Sequence, residues 1–223
     1  MKETVKIKTG TFDSLRNQKI TGRLILARHN ESEWNKLGIW AGTCDPHLTE
    51  HGFQRSKKMG ALIKDIRIDK AFTSTQTRTI ETFSGMLSAR ESHDVPVEHS
   101  SVLNERDYGN YTGEKEQEVE KSMGKQKFKD LHRGWDYPEP GVETLRSVYD
   151  RTVPYFLKNI LPLVLEGKNI LVVGHDNSLR VVVKYIEKIS DKDIENFTFP
   201  FDVVLIYDLD AEGHMIHKEE RCL

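Results

Sequence analysis

The stretch "LILARHNESEW", residues 24–34, carries an apolar run directly into an arginine and a histidine, Arg28 and His29. The run "RLILA", residues 23–27, predicts a buried β-strand, and the polar residues after His29 are of the types that cap a helix. A single histidine at the end of a strand is usually structural or exposed. This stretch alone therefore predicts a strand followed by a helix and leaves the role of His29 open.

A second stretch, "NILVVGHDNSLR" (169–180), repeats the order of strand, histidine and helix-opening residues. Its continuous apolar run, residues 169–174, is typical of a parallel strand that is covered on both faces. His175 follows this run at once, as His29 follows the first. The carboxyl ends of parallel strands form the edge of an α/β sheet where ligands bind. We therefore expect the two imidazoles to lie together at that edge, across one anion pocket.

The remaining periodicity places strands and helices in alternation along the chain. We predict strands at 70–75, 95–100, 203–209 and 214–219, and helices over 49–66, 77–89, 114–130, 143–167 (interrupted at Pro154 and Pro162) and 178–188. The last two strands form a hairpin around residues 210–213. This alternation favours a three-layer α/β/α sandwich with a mostly parallel sheet. We expect one catalytic domain over residues 23–223, preceded by an N-terminal extension, residues 1–22, with a short strand at 5–8.

The composition argues against several classes of protein. The chain of 223 residues has 33 Lys and Arg against 35 Asp and Glu, a formal charge of −2, which is not expected of a protein with a nucleic-acid partner. No apolar stretch approaches the ~20 residues of a transmembrane helix, and the first residues lack the apolar core of a signal peptide. Two cysteines make neither a disulfide framework nor a metal cluster. We expect a cytoplasmic protein with no membrane partner.

An arginine beside a histidine suits a phosphate site. The guanidinium of Arg28 can bind two phosphate oxygens at once, and its charge keeps the neighbouring imidazole neutral. A neutral ring nitrogen of His29 can attack phosphorus and form a phosphohistidine. His175 can then donate a hydrogen bond to the phosphoryl oxygens as negative charge builds on them. The pair of histidines therefore predicts phosphoryl transfer.

Two further segments can supply the rest of such a site. "FTSTQTRTIET" (72–82) places Arg78 early in a helix, either as a second phosphate-binding arginine or as a solvated one. "LNERDYGNYTGE" (103–114) places Glu105 beside Arg106. Either these two form a solvated ion pair, or Glu105 is the general acid and base that exchanges a proton with the leaving oxygen. The residues alone leave both choices open.

Four segments together resemble the histidine phosphatase superfamily and, more closely, the 2,3-bisphosphoglycerate-dependent phosphoglycerate mutases. They are "RHNESEWN" (28–35), "FTSTQTRTIET" (72–82), "LNERDYG" (103–109) and "GHDNSLR" (174–180). Their order and spacing match the mutases over residues 23–207. The resemblance implies a phosphoglycerate mutase-like fold and an isomerase of glycolysis and gluconeogenesis that interconverts 3-phosphoglycerate and 2-phosphoglycerate through a phosphohistidine on His29. It also implies 2,3-bisphosphoglycerate as the phosphoryl primer, no metal, and a homo-oligomer.

The resemblance further implies a role for individual residues. It implies that catalysis rests on Arg28, His29, Glu105 and His175, with Glu105 moving the proton. It implies that phosphate and substrate are contacted by Arg28, Asn35, Gly42, Arg78, Arg106, Tyr108, Lys115, Arg133 and Asn177. The irregular segment 114–140 could close over the substrate as a lid.

The chain departs from the usual mutase pattern at several positions. Asn30 and Asp176 stand where glycine usually follows each histidine, and Ala41, Glu116 and His132 stand where a hydroxyl or thiol residue, a lysine and an arginine are usual. Because a carboxylate pointed at phosphate would repel it, we predict that the Asp176 side chain turns away or caps a helix starting near Ser178. A phosphomonoesterase of the same superfamily, with a different or broad substrate range, is the alternative function. A non-catalytic module that binds phosphorylated ligands is the third hypothesis.

Overall fold

The chain alternates strands and helices, as the periodicity predicts. The computed structural model describes residues 21–90 and 94–223. Its strands are β1 (Arg23–Arg28), β2 (Lys70–Thr73), β3 (Val97–His99), β4 (Ile170–Gly174), β5 (Val203–Leu209) and β6 (Met215–Cys222). Its α-helices are α1 (Glu33–Leu37), α2 (Glu50–Leu62), α3 (Thr77–Ser88), α4 (Glu116–Met123), α5 (Lys125–Arg133), α6 (Leu145–Tyr155), α7 (Leu161–Leu165) and α8 (Asp176–Glu187). The predicted extension at 1–22, with its strand at 5–8, lies outside the described residues except for Thr21 and Gly22.

One six-stranded sheet, in the order β3-β2-β4-β1-β5-β6, organises the described chain. β1 and β4 lie at its centre and pair in parallel, with Arg28 opposite Gly174. β2 and β3 continue the parallel part, whereas β5 and β6 are antiparallel. The predicted mostly parallel sheet and the terminal hairpin are therefore confirmed. Because β1 and β4 end level with each other, the residues that follow them share one edge.

Side chains that alternate along β1 build the two halves of the core. Leu24 and Leu26 pack with apolar residues of α6, α7 and α8, whereas Ile25 and Ala27 pack with those of α2 and α3. All four side chains are fully buried. A strand buried on both faces needs an apolar residue at every position, which explains the continuous apolar run. The predicted three-layer sandwich is confirmed.

The single helix predicted over 114–130 is wrong, because this segment forms two helices. Gly124 separates α4 from α5 at a φ of 85°, a left-handed conformation that glycine adopts at little cost. Both helices pack over a separate cluster of buried residues that includes Trp40, Tyr108 and Leu131. The segment is therefore anchored by aromatic contacts rather than by the main sheet.

Two prolines interrupt the long helix at the predicted positions. Pro154 lies near the end of α6 and lacks an N–H donor, and a π-helical turn, Phe156–Ile160, follows it. Pro162 lies in the first turn of α7, where the missing N–H leaves no bond unmade. Among the described helices, none is long and apolar enough to cross a membrane.

The helix after β4 starts two residues earlier than predicted. α8 begins at Asp176 and not near Ser178, and His175 is the residue that precedes its first turn. The backbone N–H of His175 donates to the Ser178 hydroxyl over 3.0 Å, so Ser178 stabilises the start of the helix from within it. His175 is thereby fixed at the junction between a buried strand and a helix N-terminus.

Helices α2 and α3 touch at Gly60, where an added Cβ would lie 2.0 Å from the carbonyl oxygen of Met86. We expect Gly60→Ala to lower the free energy of unfolding by about 1–3 kcal/mol, because the helices must separate. In a helix without such a contact, replacing glycine by alanine raises the free energy of unfolding by about 1 kcal/mol. A decrease therefore identifies the close contact. Urea unfolding measures this change. Lys58→Ala, at an exposed position of α2, is the control and should shift stability by less than about 0.5 kcal/mol. A Gly60→Ala protein as stable as the wild type would contradict the close packing.

Candidate active site

His29 has a hydrogen-bond partner at one ring nitrogen, and no described residue is hydrogen-bonded to the other. Its backbone N–H donates to the carbonyl of Gly174 over 2.9 Å, which ties the residue to the end of β4. Its Nδ1 lies 2.8 Å from the carbonyl oxygen of Asn30. Because a carbonyl can only accept, the neutral ring carries its proton on Nδ1. Nε2 is therefore the nitrogen with the lone pair that can attack phosphorus.

His175 lies directly against His29, as the sequence predicts for residues that follow adjacent parallel strands. The two ring centroids are 5.0 Å apart and the ring planes meet at 62°. His175 is fully buried, and its Nε2 lies 2.8 Å from the Ser74 hydroxyl oxygen. Its Nδ1 is buried without a hydrogen-bond partner in the described part of the chain. A buried polar nitrogen left in this way is a position for a ligand atom.

Burial and nearby arginines keep both imidazoles neutral. The pKa of His29 is lowered well below its usual value, chiefly by burial and then by the charges of Arg78 and Arg28. Burial also lowers the pKa of His175 well below its usual value, with Arg78 adding to the effect. At neutral pH His29 is therefore an uncharged nucleophile beside fixed positive charge.

Two arginines, the buried Arg78 and the half-buried Arg28, supply that positive charge. Arg28 donates through one terminal nitrogen to the carbonyl of Phe199 over 2.9 Å, while its Nε is buried and finds no partner within the described residues. Arg78 is 1% exposed and donates to the carbonyl of Cys44 over 2.9 Å. Neutral carbonyls orient both side chains, and the carboxylate of Asp176, 4.0 Å from the guanidinium of Arg28, offsets part of the charge of that arginine. The pair can therefore hold a dianionic phosphoryl group.

Asn35 offers an amide donor to the same space. Its Oδ1 accepts from the backbone N–H and the hydroxyl of Ser32, over 3.1 and 2.8 Å, at the start of α1. Its Nδ2 makes no hydrogen bond to any described residue. The cap of a short helix thus fixes the orientation of an amide whose donor is left for a ligand.

Glu105 is placed by hydrogen bonds from two directions. Its Oε1 accepts from the backbone N–H of Arg106 over 2.7 Å and from Nδ2 of Asn177 over 3.1 Å. The same Nδ2 donates to the Tyr108 hydroxyl over 3.0 Å, and Oδ1 of Asn177 accepts from Arg180. Glu105 is therefore a positioned carboxylate and not half of a solvated ion pair with Arg106.

Gln76 joins three parts of the site, and sequence reasoning missed it. Its Nε2 donates to the carbonyls of Gly42 and Cys44 over 2.9 and 3.1 Å. Its Oε1 accepts from the backbone N–H of Glu105 over 2.8 Å. The residue is 4% exposed and immediately precedes α3, two positions before Arg78. A glutamine at the start of a predicted helix carries no signal of this role, because its partners come from distant loops.

A cleft with an empty volume of about 450 Å³ lies among these residues, although His175 and Gln76 are not part of its lining. The predicted site residues that line it are Arg28, His29, Asn35, Gly42, Arg78, Glu105, Tyr108 and Asn177. The departures from the mutase pattern at Ala41, Glu116, His132 and Asp176 also line it. Since Glu116 opens α4 and His132 lies in α5, the segment predicted as a lid forms one wall of the cleft.

Three predicted substrate contacts do not line the cleft. The guanidinium of Arg133 donates to the carbonyl of Phe197, to the Thr198 hydroxyl and to Asp176. Arg106 is fully buried and donates to the carbonyl of Glu143. Lys115 is exposed and precedes the first turn of α4. Hydrogen bonds to other parts of the protein hold the two arginine side chains away from the cleft wall. The lysine is absent from the wall because its side chain is exposed to solvent.

Of the two alternatives predicted for the Asp176 side chain, turning away or capping a helix that starts near Ser178, the capping is wrong. Its carboxylate accepts from the backbone N–H of Phe199 over 2.8 Å and pairs with Arg133 over 3.1 Å. Burial raises the pKa of Asp176, but the charges of Arg28, Arg180 and Arg133 outweigh burial and lower it. Asp176 therefore stays ionised at the cleft wall and holds Arg133 away from it.

The site thus combines a neutral imidazole nucleophile, two arginines and a carboxylate in one cleft, with a second imidazole buried against the nucleophile. An uncharged nitrogen nucleophile beside fixed positive charge is suited to transfer of a phosphoryl group through a phosphohistidine. The fold and the site define a phosphoryl-transfer enzyme. The model of the histidine phosphatase superfamily (branch 1) matches residues 24–219, and the chain belongs to this superfamily.

Named relatives agree with the resemblance seen in the motifs. A 2,3-bisphosphoglycerate-dependent phosphoglycerate mutase from Parvibaculum lavamentivorans is 35% identical over 198 residues, which cover 88% of this chain and 94% of that protein. A protein of the same name from Nitrobacter winogradskyi is 38% identical over 197 residues, covering 87% and 95%. The resemblance drawn from the sequence is confirmed.

Solved structures share the fold. YhfR from Bacillus stearothermophilus superposes with a TM-score of 0.75 at 23% identity, covering 87% of this chain and 94% of that one. The alpha-ribazole phosphatase from Shigella flexneri superposes with a TM-score of 0.74 at 20% identity, covering 90% and 95%. At these identities the likeness extends to the fold alone.

We expect Gln76→Leu to slow phosphorylation of His29 by about tenfold to a hundredfold, because Glu105 loses its anchor. The loss should be larger for an alkyl phosphate than for p-nitrophenyl phosphate, whose leaving oxygen needs no proton. Rapid-quench measurement of the His29 adduct compares the two donors. Gln54→Leu, at an exposed position of α2, is the control and should leave both rates unchanged. Equal losses with both donors would contradict the positioning of Glu105 by Gln76.

Proposed function

We propose that the protein interconverts 3-phosphoglycerate and 2-phosphoglycerate as a 2,3-bisphosphoglycerate-dependent mutase, through a phosphohistidine on His29. One observation carries the proposal: Nδ1 of His29 lies 2.8 Å from the Asn30 carbonyl oxygen, which leaves Nε2 as the nucleophile in a cleft that Arg28 and Arg78 make positive. Relatives 35–38% identical over most of the chain carry the name of this enzyme. The proposal includes a homo-oligomer, as the family resemblance implies, and a cytoplasmic location, as the two unpaired cysteines favour.

The phosphoryl end of the cleft fits a phosphate group. Two donors await an acceptor there, Nε of Arg28 and Nδ2 of Asn35, and Nδ1 of the adjacent His175 is also without a partner among the described residues. The oxygens of a bound phosphoryl group would satisfy them, with Arg78 adding a second positive charge. When bound, 2,3-bisphosphoglycerate supplies the phosphoryl group that His29 carries.

Each group has a separate task in the transfer. Nε2 of His29 accepts the phosphoryl group, while the hydrogen bond to the Asn30 carbonyl steadies the positive charge that the ring acquires. Arg28 and Arg78 neutralise the phosphoryl oxygens in the transition state. Glu105 takes the proton from the attacking substrate hydroxyl and returns a proton to the departing oxygen. One carboxylate serves both directions because the two hydroxyls of glycerate exchange roles.

Replacing His29 and Glu105 separately tests these tasks. His29→Ala should abolish both the acid-labile adduct and the formation of 2-phosphoglycerate, because no nucleophile is left. Glu105→Gln should still form the adduct from a good donor but turn over about 10²–10⁴-fold more slowly. Intact-mass analysis follows the adduct, and a coupled assay follows 2-phosphoglycerate with and without 2,3-bisphosphoglycerate. His47→Ala, an exposed histidine paired with Glu81, is the matched control and should behave as the wild type.

Two results would contradict the proposal. Release of free phosphate from 3-phosphoglycerate without 2-phosphoglycerate would make the protein a phosphomonoesterase. A wild-type protein that never acquires the adduct would make it a non-catalytic module.

A further inference from the structure

Asn30, the residue directly after the nucleophile, has a side-chain partner far along the chain. The residue is 1% exposed. Both polar atoms of its amide are satisfied in one orientation: Nδ2 donates to Oδ1 of Asp202 over 2.9 Å, and Oδ1 accepts from the Ser56 hydroxyl over 3.0 Å. The lining of the described cleft includes none of these three residues. The Asn30 side chain therefore binds the protein framework and not a ligand.

Asp202 is joined to helix α2 by a bidentate ion pair. Nε of Arg55 donates to Oδ1 of Asp202 over 2.9 Å, and a terminal nitrogen of Arg55 donates to Oδ2 over 2.6 Å. Two parallel hydrogen bonds of this kind fix the orientation of the carboxylate as well as its distance. Because Oδ1 accepts from Arg55 and from Asn30, one carboxylate connects α2 to the residue that follows the nucleophile.

The backbone of Asp202 adopts a conformation that is uncommon for any residue with a Cβ. Its φ is 64°, in the left-handed region. The hydrogen bonds of its carboxylate to Arg55 and Asn30 stabilise the residue in this conformation. β5 begins at the next residue, Val203, so the turn at Asp202 sets where the preceding residue lies.

That preceding residue, Phe201, packs against the two groups that begin the phosphoryl-transfer motif. The guanidinium carbon of Arg28 lies 4.0 Å from the centre of the Phe201 ring, within the range of a cation–π contact. The centroid of the Phe201 ring is also 6.0 Å from that of His29, with the ring planes at 66°. Phe201 therefore restricts the side chain of Arg28 and helps to bury His29.

The backbone of Asn30 completes a second connection to the nucleophile. Its carbonyl oxygen lies 2.8 Å from Nδ1 of His29, and this contact leaves Nε2 to attack phosphorus. Two routes thus lead from Asp202 to the site. One passes through Asn30 to the ring of His29, and the other passes through Phe201 to Arg28.

We propose that Asp202, with its partner Arg55, is a positioning residue for phosphoryl transfer, which holds the Asn30 carbonyl against Nδ1 of His29 and Phe201 against Arg28. The inference rests on the phosphohistidine proposed above and adds to it two residues that lie outside the cleft. The ion pair is partly exposed, with 27% of each side chain accessible, and exposed pairs contribute little to stability. Its main effect is therefore on the geometry of the nucleophile.

Asp202→Gly and Asp202→Asn test this role without straining the backbone, since glycine and asparagine adopt left-handed φ angles readily. We expect Asp202→Gly to slow formation of the His29 adduct from p-nitrophenyl phosphate by about tenfold. Asp202→Asn should slow it less, because its amide oxygen still accepts from Asn30. Nitrogen-15 NMR of the Asp202→Gly protein should show a fraction of the His29 rings with the proton on Nε2, a change that a merely structural role would not produce.

Asp208→Asn is the matched control for the loss of an ion pair. Asp208 pairs with Arg23 over 3.1 Å at the opposite end of β1, and both side chains are partly exposed. We expect this variant to keep the wild-type rate of adduct formation and the wild-type position of the ring proton.

A double-mutant cycle with Asn30→Gly separates positioning from a general loss of structure. Without the Asn30 side chain, the first route from Asp202 to His29 is already absent. The further change Asp202→Gly should then slow adduct formation by about threefold or less, because contacting residues are not additive when one acts through the other.

Three results would overturn the proposal: a wild-type rate in Asp202→Gly, a slower rate with the ring proton unmoved, or additive effects of Asp202→Gly and Asn30→Gly. The NMR comparison needs no phosphate donor, so it separates this inference from the proposed mutase. A wild-type protein that never acquires the adduct defeats the proposed function, while the position of the His29 proton in Asp202→Gly still decides whether Asp202 positions the ring.

Discussion

The hydrogen bond between Nδ1 of His29 and the Asn30 carbonyl is the interaction on which the rest of the site depends. It places the proton on Nδ1 and so leaves Nε2 as the nucleophile. Burial and the charges of Arg78 and Arg28 then keep the ring neutral. The same arginines suit the phosphoryl oxygens, so one set of charges both activates the nucleophile and binds the group that it attacks.

The buried positive charge of this site lowers the free energy of unfolding of the protein without a ligand. Arg78 is buried beside two imidazoles that it keeps from protonating, and the nearby charges of Glu105 and Asp45 do not fully offset the cost of its burial. Hydrogen bonds from outside the cleft hold this arrangement together. Gln76 ties two loops to the start of α3, and Arg151 donates to the carbonyls of Val102 and Asn104 while it pairs with Glu143. Because these groups are fixed before a ligand arrives, little reorganisation is needed during transfer.

The sequence predicted those parts of the site that local pattern determines. Continuous apolar runs predicted two central parallel strands, and this alone brought His29 and His175 together. The roles of Arg133 and Asp176 could not be predicted, because they depend on each other and on a loop near residue 197, far along the chain. The break at Gly124 was missed because the surrounding residues favour a helix and only the φ angle distinguishes the turn. The motifs with charged residues therefore predicted phosphoryl transfer. Tertiary packing, which the sequence does not show, determines which arginine and lysine side chains line the cleft.

Nitrogen-15 NMR of the histidine rings, with His29 assigned by comparison with His29→Gln, tests the central claim most directly. The spectra report which ring nitrogen carries the proton and at what pH a second proton binds. We predict a neutral His29 with its proton on Nδ1 throughout pH 5.5–8, because burial and two arginines lower its pKa well below the ordinary value. A ring that protonates near pH 6.5, or one that carries its proton on Nε2, would contradict this account.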